Sequence, residues 1–239
     1  MSENEKLPQI DLSWFSLEEM SPVSITLPPA PAFGEEDVDA QLFGYVARAE
    51  KGSGIHAISD LDDNWVKAHF PDLSSIAELR EAIKADLARE HACNVGNLKF
   101  SRCADALVER LEGEVPAGVL AAYAKASRGS YAARLASAGL SKQEYMQQED
   151  LSESQFEAKL VEDVKFQIKL SAALDLIARE SGDAVADEDL TAYLSVEDPD
   201  TFLQEARDKG KLEEARAAAL RVKTMRGIVD GAQVEEAEE

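Results

Sequence analysis

Residues 152–180 read SESQFEAKLVEDVKFQIKLSAALDLIARE. Leu160, Val164, Ile168 and Ala172 recur at steps of four, and Phe166, Leu170, Leu174 and Ile177 form a second apolar row. Steps of three and four are helical, and the two-residue offset between the rows turns them to opposite sides of one helix. A helix apolar on two sides is sandwiched between neighbours, self-associates, or leaves one row open to other chains. Ser152 and Gln155 provide a capping box at its start. The same pattern recurs at Ser141 with Glu144, so a shorter helix precedes it.

Working outward, helices dominate. Val115 and Pro116 open a helix that runs to about Ala138 and stops at Gly139, a residue that tolerates the left-handed conformation of a helix stop. Ser75 with Glu78 caps a helix carrying Ile76, Leu79, Ile83 and Leu87. Continued to Glu112, this helix spans roughly 57 Å at 1.5 Å per residue, more than the width of a compact domain, so that either part of it protrudes or Gly96 interrupts it. Short helices are predicted over 61–70, ended by Pro71, and over 187–194. Asp198 and Pro199 start another, and the last covers about 212–228. Acids in the first turn and Val38, Leu42, Phe43 and Val46 at helical spacing predict a helix over 35–51 (EEDVDAQLFGYVARAEK).

Only PVSITLPP, residues 22–29, alternates with period two, predicting one short strand or hairpin bounded by prolines. Ahead of it Ile10, Leu12, Trp14, Phe15 and Leu17 are too apolar for a solvated tail and predict a docking segment. GSGIHAISD, 52–60, reads as a connector. The tail DGAQVEEAEE has five acids and no base and reads as disordered. The expected organisation is an N-terminal strand-and-helix segment over 1–59, a helical domain over 60–229 and an acidic tail over 230–239. The expected fold is mainly α, an elongated multi-helix body with protruding helical arms.

Composition narrows the function. The 239 residues carry a formal net charge of −22, so bare nucleic acid and anionic membrane surfaces are unfavourable partners. There is no run of 18 apolar residues, and MSENEKLPQI lacks the basic and apolar parts of a secretory signal, so a cytoplasmic location is expected. Cys93 and Cys103 lie ten positions apart on one expected helix, about 15 Å apart, too far for a disulfide. His56, His69 and His91 have no companions at metal-ligand spacing, and neither a nucleophile elbow nor a phosphate-binding glycine loop occurs. No catalytic residue, metal or cofactor is expected, ATP included.

Apolar helical surface remains as the informative feature. Tyr123, Tyr131, Leu135, Leu140, Tyr145, Met146, Phe156 and Leu160 are the candidate binding residues, because Tyr and Met make contacts without demanding one ligand shape. The competing reading is that they pack between neighbouring helices.

Several blocks resemble the C-terminal chaperone domain of the bacterial trigger factor family. They are DLDDNWVKAHFPDLSSIAELREAIKADLARE (60–90), LVERLEGEVP (107–116), the run 139–182 that contains GLSKQEYMQQEDLSESQF, and DEDLTAYL (187–194). GEEDVDAQL (34–42) is similar to the element that precedes that family's prolyl-isomerase domain. The resemblance implies an all-helical body with two arms that form a cradle for unfolded polypeptide, and an ATP-independent holdase for unfolded or nascent chains. Between Lys51 and Asp60, where the family inserts its isomerase, this chain has only the connector, so isomerisation is not expected. The family's G-F-R-x-G-K ribosome-docking signature is not found, which tells against direct ribosome contact unless the sequence is a fragment of a longer chain. The alternative is a helical adaptor or assembly protein that holds one dedicated partner or a second copy of itself as a homodimer.

Overall fold

The computed structural model describes residues 7–19, 21–29, 33–48, 54–194, 196 and 198–237. The protein is mainly α. Its elements are β1 (Phe15–Leu17), β2 (Ser24–Leu27), α1 (Glu35–Arg48), α2 (Asp63–His69), α3 (Ile76–Arg110), β3 (Leu111–Gly113), α4 (Ala117–Ser137), α5 (Lys142–Gln148), α6 (Glu153–Ser181), α7 (Leu190–Leu194), α8 (Pro199–Asp208), α9 (Leu212–Gly231) and β4 (Gln233–Glu236). Residues 49–53, the end of the expected helix over 35–51 and the start of the expected connector, lie outside the described residues.

The chain forms two compact units. The smaller takes in Thr26–Ser101 and the chain beyond Gln233, and the larger takes in Arg102–Gln233 and the described residues up to Ile25. This differs from a division at residue 60. The apolar face of α1, Val38, Leu42 and Val46, is buried against Leu61, Val66, Leu79 and Ile83 from beyond the connector, so both sides of the expected seam share one core. Tyr45, Trp65 and Phe70 pack at its edge with ring centroids 5.4–6.0 Å apart. Arg80 joins Glu35 and Asp39 at 2.8 and 2.6 Å, fastening α3 to the acidic start of α1.

Gly96 does not interrupt α3, which continues for 35 residues, about 52 Å. One interior glycine costs about 1 kcal/mol relative to alanine, too little to break a helix anchored at both ends. Cys93 is exposed and Cys103 buried along it.

In the larger unit α6 is central and packs against α4, α9, β1 and the 3₁₀ turn Leu12–Trp14. Its two apolar rows are accounted for within the chain over its second half: Leu170, Ala172, Ala173, Leu174, Leu176 and Ala178 are all buried. The N-terminal apolar segment docks as expected. Phe15 is buried, and β1 pairs antiparallel with β3 in the register Phe15↔Gly113 and Leu17↔Leu111. Gly113 has φ +104°, and a Cβ there would lie 2.0 Å from the carbonyl oxygen of Trp14. No other residue fits that position without moving β1.

The alternating stretch is β2, with Val23, Ile25 and Leu27 buried, but its partner comes from the acidic tail rather than from a hairpin. The Gln233 N–H donates to the Val23 carbonyl at 2.8 Å and the Ala237 N–H to the Leu27 carbonyl at 2.9 Å, advancing in the same direction on both strands, which makes the pairing parallel. The tail is therefore not disordered over 233–236. Main-chain pairing reads no side chain, so an exposed, acid-rich sequence can still supply a strand.

Four helices of the larger unit end alike. Leu140 N–H bonds the Leu135 carbonyl, Leu151 the Met146 carbonyl, Asp183 the Ala178 carbonyl and Lys211 the Ala206 carbonyl, at 2.7–3.1 Å. The residue before each donor is left-handed: Gly139, Asp150, Gly182 and Gly210. These are Schellman stops, which satisfy carbonyls that a helix end would otherwise leave open.

Candidate functional site

The site is a groove of about 1150 Å³ within the larger unit, lying along α4 and α6. Its shape follows from helical spacing. Tyr123, Ser127 and Tyr131 repeat at steps of four on α4, and Ser130 and Arg134 stand beside them, so one face of this Ala-rich helix presents hydroxyls, rings and a guanidinium. On α6, Leu160, Val164 and Ile168 make an apolar floor. Asp163 and Gln167, one position before Val164 and Ile168, start a polar row that Ser171 and Asp175 continue at steps of four. Apolar floor and polar wall thus run side by side along one helix.

Asp175 closes one end. Its two carboxylate oxygens accept from Arg221 Nε at 2.8 Å and Nη2 at 2.6 Å, tying α9 to α6. That carboxylate holds the guanidinium above its ordinary range, an effect opposed by partial burial. Gln9 and Ile10 of the N-terminal segment also line the groove, and the Tyr123 hydroxyl donates to the Pro8 carbonyl at 3.1 Å.

Near the turn at α5, Tyr131, Tyr145 and Phe156 meet edge-on, with centroids 5.4–6.5 Å apart. Cations surround them: Arg134 lies 5.0 Å from the Tyr131 ring centre, Lys142 4.4 Å from Phe156 and Lys159 5.5 Å from Tyr145. Burial, and then the neighbouring Tyr145 hydroxyl, push the Tyr131 phenol above its ordinary value, so it stays neutral at physiological pH. Arg128 donates to Glu157 through Nε at 3.2 Å and Nη2 at 2.9 Å, joining α4 to α6 and holding that carboxyl below its ordinary value.

The candidate binding residues separate into four groups. Tyr123 and Tyr131 are half-buried on the groove wall. Phe156 and Leu160 are 5 % and 1 % exposed, so their surfaces are already taken by the helix pair, with Leu160 serving as floor. Leu135, Leu140 and Met146 sit at the paired positions of the Schellman stops, where an apolar contact commonly accompanies the hydrogen bond. Half-buried Tyr145 belongs to the aromatic trio. Sequence reasoning missed the polar wall, although the step of four through Asp163, Gln167, Ser171 and Asp175 was there to be read. It also missed Gln9 and Ile10, for which no local signal exists.

Among the described residues no three His, Cys, Asp or Glu side chains converge as metal ligands, and no helix is long and apolar enough to cross a membrane.

Comparison with known proteins places this architecture. Residues 75–230 match the family profile of the bacterial trigger factor protein C-terminus. Trigger factor of Thermobifida fusca is 24% identical over 186 residues, covering 75% of this chain and 40% of that protein. Trigger factor of Pelotomaculum thermopropionicum is 24% identical over 185 residues, covering 74% and 42%, and that of Agathobacter rectalis 22% over 135 residues, covering 56% and 30%. The chain spans about two fifths of the length of the first two of these relatives. With most of its length matched by that profile, the chain belongs to the bacterial trigger factor family, in the part that forms the family's C-terminus.

Proposed function

We propose that the chain is an ATP-independent chaperone of the cytoplasm, a holdase that shelters apolar segments of unfolded or nascent polypeptides without catalysing a reaction. The observation that carries this reading is the pairing of apolar floor and polar wall along α4 and α6. An unfolded segment brings apolar side chains together with unpaired main-chain N–H and C=O groups. A wholly apolar groove would strand those groups at a cost of about 1–3 kcal/mol each. Hydroxyls, amide and carboxylate beside Leu160, Val164 and Ile168 accept the main chain while the floor takes the side chains, at about 25 cal/mol per Å² of apolar area before entropy costs. No contact in such a groove demands one sequence. Many weak contacts let a client leave by dissociation alone.

In this reading Tyr123, Tyr131 and Tyr145 meet the client, and Phe156 and Leu160 hold the helix pair that presents them. Leu135, Leu140 and Met146 set the turn between the helices. The net charge of −22 keeps a protein with such a surface in solution.

The test is light scattering of two unrelated denatured proteins diluted into buffer with the purified chain at low molar ratio. Suppression of both supports a holdase, and indifference to both, with tight binding to one cellular protein or to itself, supports the adaptor instead. A protease-coupled assay on a proline-containing peptide is expected to show no acceleration.

A further inference from the structure

The chain's own N-terminal segment bounds part of the groove. Residues 7–11 have no regular secondary structure, yet Gln9 and Ile10 form part of the groove lining and the Pro8 carbonyl accepts from the Tyr123 hydroxyl at 3.1 Å. The segment is anchored firmly on its C-terminal side. The Leu12–Trp14 turn, capped by Asp11 at 2.9 Å from the Ser13 N–H, leads directly into β1, which is clamped to β3. On the other side Leu7 is 41 % exposed. A main-chain carbonyl and a half-buried isoleucine therefore lie where an irregular polypeptide meets a hydroxyl of α4.

Building on the groove reading above, we propose that residues 8–10 are an internal occupant of one end of the client groove. They stand where the main chain of an extended apolar client lies, and the Tyr123 hydroxyl is the donor that the client's carbonyl takes over. The clamp at β1 makes the occupancy intramolecular, so the segment competes at high effective concentration however few contacts it makes. A groove occupied most of the time binds more weakly than the empty groove by the fraction of time it is free. Because a carbonyl is the group recognised, the client class is an extended, apolar, uncharged segment without a fixed sequence.

The experiment uses the full chain and a fluorescein-labelled, uncharged apolar decapeptide followed by anisotropy. Ile10→Ser removes the side chain that seats the occupant, and the peptide is expected to bind roughly three- to tenfold more tightly. Adding Tyr123→Phe to Ile10→Ser removes the donor to the client and is expected to weaken binding by about fivefold, the worth of one neutral hydrogen bond. In the unaltered chain, saturating peptide is expected to speed proteolytic cutting between Leu7 and Leu12. Unchanged or weaker binding by Ile10→Ser with an unaltered melting curve, or cutting indifferent to saturating peptide, overturns the proposal. If Tyr131→Ser weakens the peptide while Ile10→Ser does nothing, only the occupant is wrong. If Tyr131→Ser does nothing either, the groove reading fails with it.

Discussion

The two halves of α6 are built from similar residues and do different work. In the first half the buried side chains, Phe156, Leu160, Val164 and Ile168, form one stripe at steps of four, and the positions beside it carry Asp163 and Gln167 into the groove. In the second half burial spreads around the helix, from Leu170 through Ala172, Ala173, Leu174 and Leu176 to Ala178. The change follows from neighbours. Arg221 on Asp175 ties α9 to the second half, where a second apolar row is covered. The first half meets α4 through Arg128 with Glu157 and α5 through Tyr145 and Lys142 on the Phe156 ring, and only its one stripe is buried. A helix apolar on two sides therefore reports a change of surroundings along its length, not a binding surface throughout.

That contrast can be broken at either end. The largest effect is expected from Gly113→Ala. The added Cβ would meet the Trp14 carbonyl at 2.0 Å in a backbone conformation that side chains avoid, so β1 must leave β3. A loss of more than about 3 kcal/mol in urea unfolding checks it. Next is Leu174→Ala in the enclosed half, where a buried leucine leaves a cavity. About 2.5 kcal/mol is expected to be lost, with client protection intact at a temperature where the variant remains folded.

At the turn beside the open half, Asp150 is the one described non-glycine residue with positive φ, at 50°. Asp150→Gly is expected to raise the thermal midpoint, by a stabilisation of about 0.5–1 kcal/mol, because the Schellman stop no longer strains a side chain.

The smallest effect is ionic. Lys223 holds Asp183 below its ordinary value, and Arg216 does the same for Asp187, with Arg207 assisting. A carboxyl whose folded pKa is depressed contributes stability that is full above its unfolded value and is lost as pH falls through the folded one. The melting temperature is expected to decline below about pH 4, and Asp183→Asn to make that decline shallower.

Much of this was legible in the sequence because it is local. The capping boxes at Ser141/Glu144 and Ser152/Gln155 both form, with each serine accepting from the N–H three residues on and each partner side chain returning to the serine N–H. The Asp198–Pro199 start and the Gly139 stop hold as well. At Ser75 the reading was half right. Its hydroxyl accepts from the Glu78 N–H at 3.2 Å, but the Glu78 carboxylate reaches past it to Ser74. What could not be read depends on partners far along the chain. Val38, Leu42 and Val46 show an apolar face, but not that Leu79 and Ile83 cover it. The strand of the acidic tail pairs through its backbone with a stretch some two hundred residues away. Of the candidate site residues, Leu135, Leu140 and Met146 lie at Schellman stops, and a Schellman stop and a binding patch ask for the same apolar side chains, so their sequence does not separate the two roles.

The central claim is that clients meet the open wall of α4 and the first half of α6, and aggregation suppression by a Tyr123→Ser/Tyr131→Ser variant with an unchanged circular dichroism spectrum tests it most directly. Loss of most protection toward two unrelated clients, while Leu174→Ala retains it at a temperature where that variant is folded, is the expected result. Full protection by the folded tyrosine variant would contradict the account.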